Sequence, residues 1–420
     1  MNKLILTSLI YLVAIMAYAQ TQYPVINADN TATFSFNPPF NTDKVILEGS
    51  FGEIDMKRGN DGTWTATTPK PLSSDMHTYR FVTEDQFFTD PNNPHITRDI
   101  TDTLSYFITD GWPGALYQQN NVPHGTVSQH WYPSSYNPDM SQRRLSIYLP
   151  PTYNQEPKTR FPVLYLLHGT GGDELAWLDM GRLAQIMDNM IAKGLCQPMI
   201  VVMPNGIAEH DAAPGCSPYQ DNVPSHMNLS SWLGRTEAAF PLEVVPYIEQ
   251  NFRVAPGKAN HAIAGVSMGG MHAMAIACNN PELFDFIGLF SPQTANGLTD
   301  ANINRLRNFK DRAYRWASKL PFAGDAIRDH LDERSQQLAD MHIYENLEEK
   351  LQQQFSNPPQ LYYISIGNRD PLQFPLNKFL SSLDDLNANY YYNESSGGHT
   401  WNNWRLYLLD FLPRLFNKNQ

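Results

Sequence analysis

Ser267 stands in HAIAGVSMGGMHAMAIACNN, where an apolar, strand-like run over 262–264 gives way to a helical pattern of small residues over 270–278. Gly265, Gly269 and Gly270 surround it. A sharp strand-to-helix turn has little room for Cβ atoms near its apex, and glycines supply that room. G-x-S-x-G in this setting pushes the serine hydroxyl into a strained, exposed position from which it can attack an acyl carbon. The plainer reading is a connection that happens to contain a serine. A base and an orienting acid further along the chain separate the two readings.

On this kind of turn the partners follow in the order Ser, acid, His. Among the 12 histidines, His399 lies in SSGGHTWNNW, a glycine-flanked loop before the last helical pattern, where an imidazole can swing into a site. His272 falls within the helix after Ser267, and His261, His330 and His342 sit in or beside helix or strand patterns. In ISIGNRDPL, Asp370 marks the C-terminal end of an apolar strand, the edge of an open α/β sheet where ligands gather. Asp-Pro also starts helices, so an N-cap role stays open for Asp370. Asp384 and Asp385 are alternative acids inside a helical pattern. Donors for a developing oxyanion are expected from two backbone amides, those of Met268 and of Thr170 in LLHGTGGDE. His168 in that loop reads as a structural residue that fixes the turn.

The elements around these residues alternate. FPVLYLLHG, QPMIVVMPN and the run before Ser267 are near-continuous apolar strands, as a parallel sheet covered on both faces requires. RLAQIMDNMIAKG and AAFPLEVVPYIEQNF read as amphipathic helices between them, with SQRRLSIYLPPTY an earlier strand and QLYYISIGN a later one. Residues 126–420 are therefore expected to form an α/β domain, doubly wound with a mostly parallel sheet and, given the serine turn, of α/β-hydrolase type. The polar helical stretch over about 294–355 reads as an insertion capping the mouth of the site. Before this domain, residues 20–110 carry short alternating runs (ATFSFN, KVILEGSF, GTWTATTP, HTYRFVT) separated by turn residues. They predict a small all-β, immunoglobulin-like sandwich. Trp64 in this region is either core or a sugar-stacking platform. A Pro-, Gly-, Asn- and Gln-rich linker over 111–125 joins the two.

A chain of 420 residues fits two domains, and 42% hydrophobic and 12% aromatic residues allow a large core. A formal charge of −12 with no basic run excludes a nucleic-acid binder. Lys3, an apolar stretch over 4–16 and Ala17-Tyr18-Ala19 read as a signal peptide over 1–19, so an exported mature chain begins at Gln20. Nothing later resembles a membrane span. Three cysteines (Cys196, Cys216, Cys278) cannot all pair within one chain, though a Cys196–Cys216 bridge is open. No zinc spacing occurs, and neither a metal nor a cofactor is expected.

RRLSIYLPPTY, FPVLYLLHGTGGDE, the helix before NFRV, GVSMGGMHA, IGNRD and SGGHTWNNW occur in an order that resembles the esterase D / feruloyl esterase group, carbohydrate esterase family 1. The resemblance covers nearly all of 126–418 and implies that Ser267, Asp370 and His399 form the triad. It also implies feruloyl or acetyl esters on xylan and xylo-oligosaccharides as substrates. SPQ at 291–293, where relatives often have Ser-Gly, and the long insertion depart from the pattern. The sandwich region resembles early-set modules of carbohydrate-binding module family 48. Trp401, Trp177, Trp232 and Tyr219 are candidate walls for an aromatic acyl group, with Trp404 nearby. Trp401 either lines that pocket or packs under the His399 loop. Two other functions fit less well: a siderophore trilactone esterase, which would favour a cationic pocket, and a glycan-binding protein with an inactive hydrolase domain.

Overall fold

The computed structural model describes residues 23–84, 86–135, 141–207, 210–217, 234–294 and 341–417. The expected signal peptide, Tyr219, Trp232 and most of the expected cap lie outside these residues. The chain divides into two compact units, 1–98 with 102–118, and 99–101 with 119–420. The first unit thus takes in 111–118, half of the stretch read as a linker. There the Gly114 amide donates to Ser74 Oγ at 2.9 Å, and the short helical turn Gly114–Leu116 is partly buried.

The first unit contains two antiparallel sheets, with strand Ala32–Phe36 paired to Trp64–Thr67 in one and Met76–Thr83 paired to Ile46–Gly49 and Asp102–Ile108 in the other. Alternation places Phe34, Phe36, Trp64 and Ala66 of one sheet against Leu47, Tyr79 and Phe81 of the other in a single apolar cluster. Phe36 stacks on Phe81 at 4.3 Å, and Phe34 meets Tyr79 edge-on at 4.8 Å. Trp64 is 6% exposed, so its ring is core and offers no platform to a sugar.

The second unit is organised by an eight-stranded sheet. Its order runs Thr126–Pro133, Gln142–Leu149, Ile200–Pro204, Val163–Leu167, His261–Val266, Phe286–Phe290, Leu361–Gly367, Tyr391–Ser395. The first two strands are antiparallel to their neighbours, and all later pairs are parallel. Parallel strands need crossovers, supplied here by Leu183–Ala192, Arg235–Asn251, Met268–Asn279, Leu347–Ser356 and Gln373–Asp385. The central strands are buried along their whole length, which explains their unbroken apolar sequence.

Helix Leu347–Ser356 was expected within the cap. Instead it buries Leu351 in the main apolar core, beside Ile343 and Tyr344, and leads into strand Leu361–Gly367. The amphipathic pattern over this helix is therefore that of a sheet-covering helix. Cys196, Cys216 and Cys278 are all free thiols, so the Cys196–Cys216 bridge left open by the sequence is absent. No helix among the described residues is long and apolar enough to cross a membrane.

Candidate active site

Ser267 ends the strand His261–Val266 and precedes helix Met268–Asn279, with φ 56° and ψ −115°. A non-glycine residue held there costs about 1–3 kcal/mol, and the surroundings must impose it. They do so by close packing. A Cβ on Gly265 would lie 2.2 Å from the Gly269 carbonyl oxygen, and one on Gly269 would lie 2.4 Å from the His168 carbonyl oxygen. The glycines thus let the helix descend onto its own strand and onto the neighbouring loop. The Ser267 amide donates to Phe290 O at 2.9 Å, and its carbonyl accepts from Gln293 N at 3.0 Å. The side chain is nearly buried, at 8% exposure.

Asp370 follows strand Leu361–Gly367 at the same C-terminal sheet edge, two strands from Ser267 and so about 10 Å across. Its Oδ2 accepts from His399 Nδ1 at 2.8 Å, and its Oδ1 accepts from the Leu372 amide at 2.9 Å. One oxygen thus shapes the turn into helix Gln373–Asp385 and the other holds the imidazole. Burial pushes the Asp370 carboxyl up, but the hydrogen bonds from His399 and the Leu372 amide outweigh it and hold the group below the usual range. The Asp370 side chain is fully buried and that of His399 is 26% exposed, so the imidazole keeps an edge toward solvent.

Two loops meet to make this pair. Arg369 N donates to Gly397 O at 2.8 Å and Asn368 N to Ser395 O at 2.8 Å, joining the acid loop to the histidine loop. Gly397 has φ 107°, and a Cβ there would meet Asn403 Oδ1 at 2.4 Å. Asn403 fills that space: its Nδ2 donates to Ser396 O at 2.7 Å and to Ser395 Oγ at 2.9 Å, and its Oδ1 accepts from Thr400 Oγ at 3.1 Å. Nothing in the sequence marks Asn403 beyond a polar residue in an apolar helix.

On the other side of Ser267 lies the loop after strand Val163–Leu167. A Cβ on Gly169 would sit 3.4 Å from Ser267 Cβ, so this loop lies directly against the serine with Thr170 next in sequence. Met268 opens its helix, so its amide is a first-turn N–H without an intrahelical acceptor. His168 Nδ1 donates to Gly169 O at 2.8 Å while Nε2 accepts from Gly206 N at 2.7 Å. These partners select the neutral tautomer, and burial pushes the imidazole down to about 4. His168 is a brace, as its place in the loop suggested. Glu174, unremarked in the sequence, is a second brace. It accepts from Arg144 Nε at 2.6 Å, Ala213 N at 2.9 Å and Asn205 Nδ2 at 3.1 Å, and burial raises its carboxyl despite Arg144.

The aromatic candidates separate. Trp177 is 1% exposed and donates from Nε1 to Leu167 O at 3.0 Å, so it supports the strand end beneath the loop and forms no pocket wall. Trp401 packs edge-on to Trp177 at 5.3 Å and to Trp404 at 5.1 Å. Trp404, rather than Trp401, meets the His399 ring, at 4.9 Å and 85°.

Sheet order, crossovers and the serine turn make the second unit an α/β-hydrolase, preceded by an all-β unit. Within that class the chain belongs to an esterase family, whose model, described as "Putative esterase", matches residues 140–415. The all-β unit lies outside the match. An endo-1,4-beta-xylanase/feruloyl esterase of Xylanibacter ruminicola is 29% identical over 290 residues, 65% of this chain and 36% of that protein. An esterase of Mycobacterium tuberculosis is 32% identical over 133 residues, 32% of this chain and 25% of that one. The chain spans about a third or less of the length of these curated relatives. Among solved structures, the enterobactin esterase of Shigella flexneri superposes with a TM-score of 0.56 at 15% identity, covering 91% of this chain and 92% of that one. A ferulic acid esterase of Anaeromyces mucronatus gives 0.50 at 18% identity, covering 72% and 95%. At such identities both likenesses concern the fold.

Proposed function

We propose that this protein is an exported serine carboxylester hydrolase that removes feruloyl or acetyl groups from xylan side chains. Ser267 is the nucleophile, His399 the base and Asp370 the acid that orients it. The observation that carries this reading is the 2.8 Å His399–Asp370 bond, set at the sheet edge that also presents the strained Ser267. His399 Nδ1 is committed to Asp370, which leaves Nε2 to take the serine proton as Ser267 Oγ adds to the ester carbon. The tetrahedral oxyanion is met by the amides of Met268 and Thr170. Collapse expels the sugar hydroxyl, protonated by His399, and leaves an acyl-Ser267 ester. Water, deprotonated by the same imidazole, then releases the acid and restores the serine. The xylan substrate class is supported by the xylanase/feruloyl esterase relative, and a charge of −12 disfavours a trianionic siderophore complex.

The test is turnover of methyl ferulate and of acetylated xylan by the wild type and by Ser267→Ala. The variant should fold and lose about 10⁴–10⁶-fold in kcat. Retention of a tenth of the activity would remove Ser267 from the mechanism. Activity on neither ester by the wild type would remove the substrate class.

A further inference from the structure

Gly206 stands where strand Ile200–Pro204 leaves the sheet, packed between two buried imidazoles. A Cβ there would lie 3.3 Å from His168 Nε2 and 3.4 Å from His272 Nδ1. The backbone around it is paired bond by bond. The carbonyls on either side, of Asn205 and Ile207, both accept from Arg143 Nη2, at 2.7 and 2.8 Å. The Gly206 amide donates to His168 Nε2 at 2.7 Å, and its carbonyl accepts from Thr236 Oγ1 at 2.8 Å. A buried carbonyl needs a partner. Here a hydroxyl 30 residues further along the chain supplies it.

Thr236 is itself held. It lies in the first turn of helix Arg235–Asn251 and is buried. Gly234 N donates to Glu237 Oε2 at 2.9 Å, and Tyr344 OH donates to Glu237 Oε1, which together fix the start of the helix. The hydroxyl therefore reaches Gly206 from an anchored element.

The other end of the connection is the loop that lies against Ser267. His168 Nδ1 donates to Gly169 O at 2.8 Å, and Gly172 N donates to the same oxygen at 3.1 Å. That oxygen belongs to the peptide unit whose N–H is the Thr170 amide. In a trans peptide the C=O and the N–H point opposite ways, so a bond that fixes one fixes the direction of the other. A neutral imidazole donates from Nδ1 only when Nε2 is the acceptor, and the Gly206 amide on Nε2 selects that tautomer. Three hydrogen bonds in series thus run from Thr236 to the Gly169–Thr170 peptide.

We propose that Thr236 is a positioning residue for ester hydrolysis: by holding the Gly206 peptide on His168 it keeps the Gly169–Thr170 peptide turned with its N–H toward the oxyanion. The proposal rests on the reading of Ser267 as the nucleophile and of the Thr170 amide as an oxyanion donor. Such a donor lowers the barrier because it is in place before charge develops and needs no reorganisation. Thr236 touches no reacting atom, and no bond to it forms or breaks.

The experiment compares wild type with Thr236→Val, Thr236→Ala, Thr236→Ser, His168→Gln, the double variant Thr236→Val/His168→Gln and Ser267→Ala. It measures turnover of p-nitrophenyl acetate, inhibition by phenyl trifluoromethyl ketone, whose adduct with Ser267 carries the oxyanion, and melting temperature. Thr236→Val should lose about tenfold in kcat with KM little changed, less than the roughly 10²–10³-fold of deleting an oxyanion donor outright. Affinity for the ketone should fall by a similar factor. Thr236→Ala should behave alike and keeps the test available if the valine variant folds poorly, whereas Thr236→Ser, which retains the hydroxyl, should recover wild-type kcat. In His168→Gln the series is already cut, so adding Thr236→Val should cost little more. Wild-type kcat in a folded Thr236→Val or Thr236→Ala would overturn the proposal. So would losses that multiply in the double variant, an unchanged affinity for the ketone, or failure of Thr236→Ser to recover. Any of these alongside an inactive Ser267→Ala leaves the nucleophile standing, whereas an active Ser267→Ala removes the nucleophile and this proposal together.

Discussion

Asp370 illustrates how much one side chain can carry: one oxygen shapes the turn into the next helix and the other holds His399. The aromatic residues around His399 divide the work differently. Trp404 touches the imidazole, while Trp401 reaches it only through Trp404 and rests on buried Trp177. Under the proposed function, in which His399 is the base, Trp401 supports it by way of Trp404. Trp401→Ala should lower kcat/KM for p-nitrophenyl acetate and methyl ferulate alike, by about two- to twelvefold for one lost ring contact of roughly 0.5–1.5 kcal/mol. A loss confined to the ferulate would restore Trp401 to the acyl pocket.

Among the elements, the helix Met268–Asn279 is the most tightly constrained. Met268 through Cys278 are all buried, so it runs through the core and has no solvent face. Its first turn is fixed against backbone, which cannot yield as a flexible side chain can. Gly269→Ala places a methyl 2.4 Å from the His168 carbonyl and 2.7 Å from that of Leu167. Relief would require the helix and the Thr170 loop to part. We expect a loss of about 1–3 kcal/mol or more in stability and a larger proportional loss in kcat, read from urea midpoints and ester turnover. Wild-type kcat in the folded variant would show that the spacing of helix and loop does not set the oxyanion donors.

Across the whole molecule, acid should be felt early. His168 is pushed by burial down to about 4, and His272 by burial and the nearby Arg143 charge to about 3. Both are fully buried, His272 lying 3.5 Å from Glu237. A histidine whose folded value lies below its unfolded value, about 6.5, takes up its proton first in the unfolded chain. The stability from keeping it neutral is therefore complete above about pH 6.5 and falls as pH drops toward 4, by up to about 3 kcal/mol for His168. Asp370, with a lowered carboxyl, adds a loss in the same direction only below the ordinary aspartate value of 3.8. Urea midpoints should thus decline between pH 6.5 and 4, before carboxylates titrate. His272→Gln should flatten that decline, and an unchanged slope would assign it to other groups.

The sequence by itself determined the local steric events. Glycines on both sides of Ser267, unbroken apolar runs in the central strands, and a glycine pair before His399 each report a constraint felt within a few residues, so the serine turn, the parallel sheet and the histidine loop are legible without coordinates. The polar edge strand Tyr391–Ser395 is not, because only one side of it is paired and its sequence carries no apolar run. Nor is Glu174, whose partners Arg144, Asn205 and Ala213 lie 30 to 39 residues away along the chain, nor are the loop bonds of Asn403 or the burial of Trp177. The amphipathic pattern over Leu347–Ser356 suggests a cap, yet the helix packs on the core, because either arrangement buries one face. Only tertiary packing decides such questions, because a hydrogen bond or an apolar contact takes its meaning from the residue that arrives opposite it.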